Sequence, residues 1–287
     1  MGSARPVIMT AMASQTASGR QLRDQLWELL EPLIPPPPPA KNGRTGRSRV
    51  DDRAALEGIL FVAEHGIAWE KLPTELGFGS GITCWRRLRA WQEAGVWEKL
   101  HRAVLEKLGQ DGALDWSRAS LDSVSVRAKR GGELTGPNPT DRGKLGTKYH
   151  LLVTADGLPL AVAISGANRH DSMLVEPILD GLSPVKGRGR GRPRRRPVKL
   201  HADKAYDNKR VRRYLRRRGI TARIARIGVD FSERLDRHRW VVERTISWLL
   251  AFRRLAIRYD RSATTITAVA TLAVTVICAR RLPGKDY

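Results

Sequence analysis

Apolar positions set the first half of the chain apart from the second. Leu22, Leu26, Leu29, Leu30 and Leu33 recur at helical spacing, so a helix is expected from about Arg20. Pro35 to Pro39 ends it and favours an extended spacer. After a Gly/Arg-rich stretch, Asp51 or Asp52 can cap a helix that turns Ala55, Leu56, Ile59, Leu60 and Val62 inward and stops at Gly66. Trp69 to Gly81 reads as a turn. A further helix from about Ile82 to Glu93 buries Cys84, Leu88 and Trp91 and turns Arg86, Arg87 and Arg89 outward. A last helix runs from about Val96 to Leu108. Helix, turn, Arg-rich helix is the outline of a helix-turn-helix; a small bundle with a solvated basic face gives the same pattern.

Near Asp115 the period changes. Ser120 to Val126 alternates, Lys148 to Thr154 is a second strand, and Asp156-Gly157 turns the chain into a third over Leu158 to Ile164. Asp171 to Leu182 has helical periodicity, Val198 to Ala202 is a short strand, Asp207 to Arg218 a very basic helix and Thr221 to Ile227 another strand. Arg237 to Leu255 reads as one helix. Three meandering strands followed by alternating helices and strands give an α/β fold with a mixed sheet and flanking helices. The organisation expected is a tail over 1–19, a helical region over 20–110 with a Pro/Gly/Arg linker at 35–50, and an α/β domain over 115–282 with a basic loop at 184–197. Ala263 to Ala279 is apolar but interrupted by threonines and short for a span, so it reads as a buried helix.

Charge narrows the partners. A formal net charge of +23 attracts polyanions, and no clear basic helix with lipid-facing aromatics points to a membrane. Cys84 and Cys278 lack any metal or disulfide spacing, which fits a reducing cytoplasm. The loop PVKGRGRGRPRRRP carries seven cations, Lys186, Arg188, Arg190, Arg192, Arg194, Arg195 and Arg196, and cannot build a core. It reads as a mobile arm suited to phosphate contact.

Three acids carry the candidate chemistry. Asp122 sits inside a strand, where a carboxylate is a poor fit. Asp203 ends the strand VKLHAD, at the edge where open α/β sheets hold ligands. Glu243 lies in the helical run RWVVERTISWL. Singly, each has a plainer reading: an edge-strand acid, a helix cap (for which Asp207 is the better candidate) and an i,i+4 pair with Arg239. Together they offer hard oxygen ligands for divalent ions of the Mg²⁺ kind.

The stretches GILFVAEHGIAWEKLP, TCWRRLRAWQEAGVWEKLH, LDSVSV, GKLGTKYHLLVTADGLPL, SGANRHDS, LHADKAYD and RWVVERTISWLLAFRRL resemble, in order, the bacterial DDE transposases of the group named after insertion sequence 5. The resemblance covers about Leu26 to Leu282. It implies a ribonuclease H-like catalytic domain behind a helix-turn-helix-like DNA-recognition domain, with Asp122, Asp203 and Glu243 as the catalytic, metal-binding acids. It further implies two Mg²⁺ ions, replaceable by Mn²⁺, and double-stranded DNA as partner, both terminal inverted repeats and target. A homo-oligomer on paired ends, in the bacterial cytoplasm near the nucleoid, goes with it. The expected reaction is end cleavage followed by joining of the 3′-hydroxyl to target DNA. The alternatives are an inactive DNA-binding descendant and a nuclease of similar fold that never joins ends.

The family's Arg four residues before the Glu falls on Arg239. The base expected about seven residues after it is replaced by Leu250 and Ala251, with Arg253 and Arg254 beyond. Candidate DNA contacts are therefore Arg86, Arg87, Arg89, Arg239, Arg244, Arg253, Arg254, the loop arginines and, near the site, Lys148, Asn168, Arg169 and His170. A polar loop with Asp171 as cap, and a solvated strand edge at Lys148, are the plainer readings of the last four. Trp240 and Trp248, eight apart, read as core.

Overall fold

A computed structural model describes residues 17–37, 49–226 and 240–283. Four helices come first: α1 (Ala17–Leu30), α2 (Asp52–His65), α3 (Gly81–Glu93) and α4 (Val96–Gln110). Asp51 caps α2 through the Ala54 N–H, and Gly66 at φ 68° closes it. Ser80 caps α3, accepting from Thr83. Between α2 and α3 lie the 3-10 turns Trp69–Lys71 and Thr74–Leu76, a longer connection than the three- to four-residue turn of a compact helix-turn-helix.

The sheet follows. β1 (Ala119–Arg127), β3 (Leu145–Thr154) and β4 (Pro159–Gly166) form the antiparallel meander, and β5 (Lys199–Ala202) and β6 (Thr221–Ile224) lie parallel to β1. The two-residue strand β2 (Gly136–Pro137), which alternation could not signal, pairs with the start of β3. The order across the sheet is thus β4, β3, β1, β5, β6. Helices α5 (Val175–Asp180), α6 (Lys209–Arg217), α7 (Trp240–Leu250), α8 (Arg253–Ala256) and α9 (Ala263–Ala279) complete the described chain.

Three expected elements differ. The helix expected over Asp171 to Leu182 begins as a 3-10 turn, Asp171–Leu174, before α5. The helix expected to run to Leu255 stops at Leu250, because Phe252 adopts an extended backbone (ψ 94°) and starts α8 separately. Asp207 does not cap α6; Asn208 does, and Asp207 pairs with Arg212 at 2.7 Å.

The core is shared. α9 is buried along almost its whole length and packs against α3, α4 and β4, so the helical region and the sheet close on one apolar interior. No described helix is long and apolar enough to cross a membrane. Cys84 and Cys278 are both buried free thiols.

At the junction of α4, β4 and α9 sits His101. Its Nε2 donates to the Pro159 carbonyl (3.0 Å), and burial pushes its pKa from 6.5 down to about 4. Between those values the unfolded chain binds a proton that the folded chain refuses. Stability therefore rises with pH across that window and is lost as pH falls from about 6.5 toward 4, by up to about 3 kcal/mol from this residue. His101→Gln, which keeps a donor for Pro159, is expected to flatten the dependence of the urea midpoint on pH; an unchanged slope would show that His101 does not carry it.

Candidate active site

The register of the parallel pair β1–β5 builds the site. Ala119 lies opposite Leu200 and Ser120 opposite His201. Two residues further along each segment, past the last paired positions, come Asp122 inside β1 and Asp203 just beyond β5, so both stand at the same end of the parallel pair. Both are partly buried. Asp203 also caps the 3-10 turn Lys204–Tyr206, accepting from the Ala205 N–H at 2.9 Å, so capping and site roles coexist.

That turn carries Tyr206 inward. Its ring is buried (1% exposed), and its hydroxyl has no hydrogen bond of standard geometry, although Ser123 faces it. Burial first, then the charges of Asp171, Asp122 and Asp203, hold the phenol well above its ordinary pKa. Tyr206 is therefore a permanent O–H donor with three carboxylates around it.

Asp171 is the acid that sequence reasoning set aside as a cap. The cap of its 3-10 turn is His170, whose ring accepts from Ser172 N–H. Asp171 points inward, accepting from Ser123 Oγ (2.9 Å) and pairing with Lys148 Nζ (2.8 Å). Lys148 also donates to the Arg169 carbonyl (3.0 Å), so two contacts hold it beside Asp171. His150, fully buried on β3 with Nδ1 3.8 Å from Asp171, is pushed down to about 4 by burial, and Nε2 meets Ser165 Oγ (2.8 Å). The motif LHADKAYD contained Tyr206, and SGANRHDS contained Asp171, but nothing local marks either as facing Asp122. The strand pairing does that.

Glu243 sits in the first turn of α7, exposed, on a helix that packs against β1 and β3. Among the described residues no three Asp, Glu, His or Cys side chains converge closely enough to hold a metal ion. Asp122 and Asp203 both lie near enough to Tyr206 to act on its hydroxyl, and among the described residues Glu243 does not complete a three-acid cluster with them. α7 itself is firmly anchored. Thr245 Oγ1 donates to the Gly157 carbonyl and Arg244 Nη2 to the Asp156 carbonyl, both at 2.7 Å. Gly157 takes φ 89°, and a Cβ there would meet Arg244, Thr245 and Val241 within 3.0 Å, so only glycine fits under α7.

Several expected DNA contacts have other work. Arg244 lies 4.7 Å from the rings of both Trp240 and Trp248, forming a ladder on α7. Trp240 is 53% exposed, which corrects the expectation that it belongs to the core. Arg254 is buried, bidentate to Asp260 (2.7 and 2.8 Å) and bonded to the Ile67 carbonyl (2.6 Å), so it cannot reach DNA. Arg87 pairs with Asp52, and Arg89 stacks on Trp85 and reaches Glu93. Arg86, Arg253, Asn168, Arg169, His170 and the loop arginines Arg188, Arg190, Arg192, Arg194, Arg195 and Arg196 are exposed. The loop is not a loose arm at its base: Val185 and Arg194 exchange two backbone hydrogen bonds of 2.8 Å. Arg239 lies outside the described residues.

The hydroxyl of Tyr206 makes a direct test. Ser123 faces it without standard hydrogen-bond geometry, so Tyr206→Phe is expected to change the stability of the metal-free protein by no more than about 1 kcal/mol. Calorimetry in EDTA checks this; a clear loss of stability would mean the hydroxyl is satisfied in solution.

Comparison with known proteins agrees with this geometry. Residues 116–278 match the family model described as "Transposase DDE domain", and residues 22–101 match "Putative transposase of IS4/5 family". A Burkholderia cepacia protein named "Putative transposase for insertion sequence element IS402" is 40% identical over 188 residues, 65% of this chain and 88% of that protein. From the same organism, "Insertion element IS402 uncharacterized 16.2 kDa protein" is 53% identical over 116 residues, 40% of this chain and 79% of its own length. With a meander and two parallel strands bringing two aspartates to one end of the β1–β5 pair, and with the catalytic-domain model matching more than half of its length, the chain belongs to the DDE transposases of the IS4/5 family.

Proposed function

We propose that this transposase binds double-stranded DNA at terminal inverted repeats, cleaves the ends and joins the freed 3′-hydroxyl to target DNA. The observation that carries the reading is the position of Asp122 on β1 and Asp203 just past β5, at one end of the parallel pair. Their hard oxygens, beside the buried Tyr206 hydroxyl, suit Mg²⁺ or Mn²⁺. Two such ions would activate the attacking oxygen and stabilise the leaving one in an in-line displacement. Glu243 is assigned as the third acid on its motif and on the packing of α7 against β1.

The protein's own groups then divide the work. Asp122 and Asp203 orient the ligated centre. Tyr206, held protonated, donates to whichever carboxylate turns toward it and never serves as base. Lys148 neutralises Asp171, so the fourth carboxylate adds little net charge beside the pair. Arg86 on α3 and the exposed loop arginines hold phosphates, and a basic surface of this kind makes affinity steeply salt-dependent. A homo-oligomer bringing two ends together fits this chemistry.

A second reading, an inactive DNA-binding descendant, is favoured by the lack of a convergent three-acid group among the described residues. The deciding experiment is nicking of terminal-repeat duplex with Mg²⁺ against EDTA, followed by strand transfer from a pre-cleaved end. Cleavage and joining support the transposition reading. Cleavage without joining favours a nuclease, and binding without cleavage favours the inactive descendant.

A further inference from the structure

α6 carries more cations than its fold can use. Arg210 pairs with Glu176 and bonds the Ser172 carbonyl (2.7 Å), Arg212 pairs with Asp207 (2.7 Å), and Arg218, just past the helix, pairs with Asp180, which also accepts from Tyr214 (2.7 Å). Those contacts dock the helix on α5 and consume both of its acids. Lys209, Arg213, Arg216 and Arg217 remain, all exposed, and none meets an acid or an acceptor among the described residues. At 100° per residue the four fall on a single arc of the helix. Like charges three and four apart destabilise a helix by some tenths of a kcal/mol per pair. The stripe therefore costs stability and gives no contact in return among the described residues.

We propose that this stripe is a track for the backbone of duplex DNA, held without base reading, leading outward from the Asp122–Asp203 edge. α6 begins six residues after Asp203, on the turn that Asp203 caps. From Lys209 to Arg217 the helix rises about 12 Å, a length that spans roughly three to four phosphates of one strand at 3.4 Å each. The basic loop adjoins the far end: Arg196 donates to the Arg218 carbonyl just past α6, with exposed Arg194 and Arg195 beside it. A lipid surface is the poorer fit. The apolar residues of α6, Val211, Tyr214 and Leu215, are buried against the protein and cannot enter a bilayer.

The choice of polyanion rests on the transposase reading, but the test does not need catalysis. Full-length protein carrying Lys209→Gln, Arg213→Gln, Arg216→Gln and Arg217→Gln is titrated with a random-sequence duplex in EDTA at several salt concentrations. The expected result is a fall of about 3 in the slope of log Kd against log salt. The set Arg213→Lys, Arg216→Lys and Arg217→Lys should keep the original slope, and Arg280→Gln with Arg281→Gln should change it by less than about 1. An unchanged slope in the Gln variant, a loss equal per cation to that of the Arg280/Arg281 control, or a loss confined to anionic phospholipid vesicles overturns the track. Failure of cleavage in Mg²⁺ with the slope change intact would count against the catalytic reading alone.

Discussion

Asp122→Asn and Asp203→Asn are each expected to lower divalent-dependent cleavage of terminal-repeat DNA by about 10³-fold or more while DNA binding in EDTA stays within a few-fold of the parent. Each substitution keeps the shape of the side chain and deletes one charge from the acids at the end of the β1–β5 pair. Neither residue lies on the cationic surfaces proposed to hold phosphate, so binding and chemistry should separate. Glu243→Gln should match them if α7 supplies the third acid. Cleavage at parental rate by Glu243→Gln would remove that residue from the site and leave the aspartate pair standing; parental rate in Asp122→Asn or Asp203→Asn would end the assignment altogether.

The largest stability effect is expected at Arg254. Its guanidinium and the Asp260 carboxylate are buried together, with Trp69 Nε1 donating to the same acid at 3.2 Å. Arg254→Met leaves Asp260 as an uncompensated buried charge and the Ile67 carbonyl without its donor, a loss of about 3–5 kcal/mol. The double variant Arg254→Met with Asp260→Leu removes both charges and should regain most of that. Urea unfolding of the two decides: equal destabilisation would mean that packing around Trp69, and not the stranded charge, sets the cost.

The residues differ in how openly the sequence announces them. Alternation in SLDSVSV and KYHLLVT, the Asp156-Gly157 turn and the apolar run of α9 are local signals, and the elements they predict are present. Asp122 stood out because a carboxylate is out of place in a strand. Asp171 and Tyr206 did not, since their meaning depends on which strands pair. The same limit explains Arg254, Lys148 and Arg244. A basic residue in a basic protein reads as a phosphate ligand until its partners, Asp260, Asp171 and the Asp156 carbonyl, are located by the fold. Trp240 erred the other way: helical spacing with Trp248 suggested burial, yet Arg244 between them keeps the first ring at the surface.

The placement of α9 has a consequence for how the protein is made. The last long helix fills the space between the first helices and the sheet, and Gln25 of α1 donates to the Pro283 carbonyl (2.9 Å) just beyond it. A premature stop before Ala263 would therefore leave two unfinished halves, each with a bare apolar face, instead of one sound DNA-binding fragment. Synthesis has to pass α9 before the helical region and the sheet can close on their shared interior.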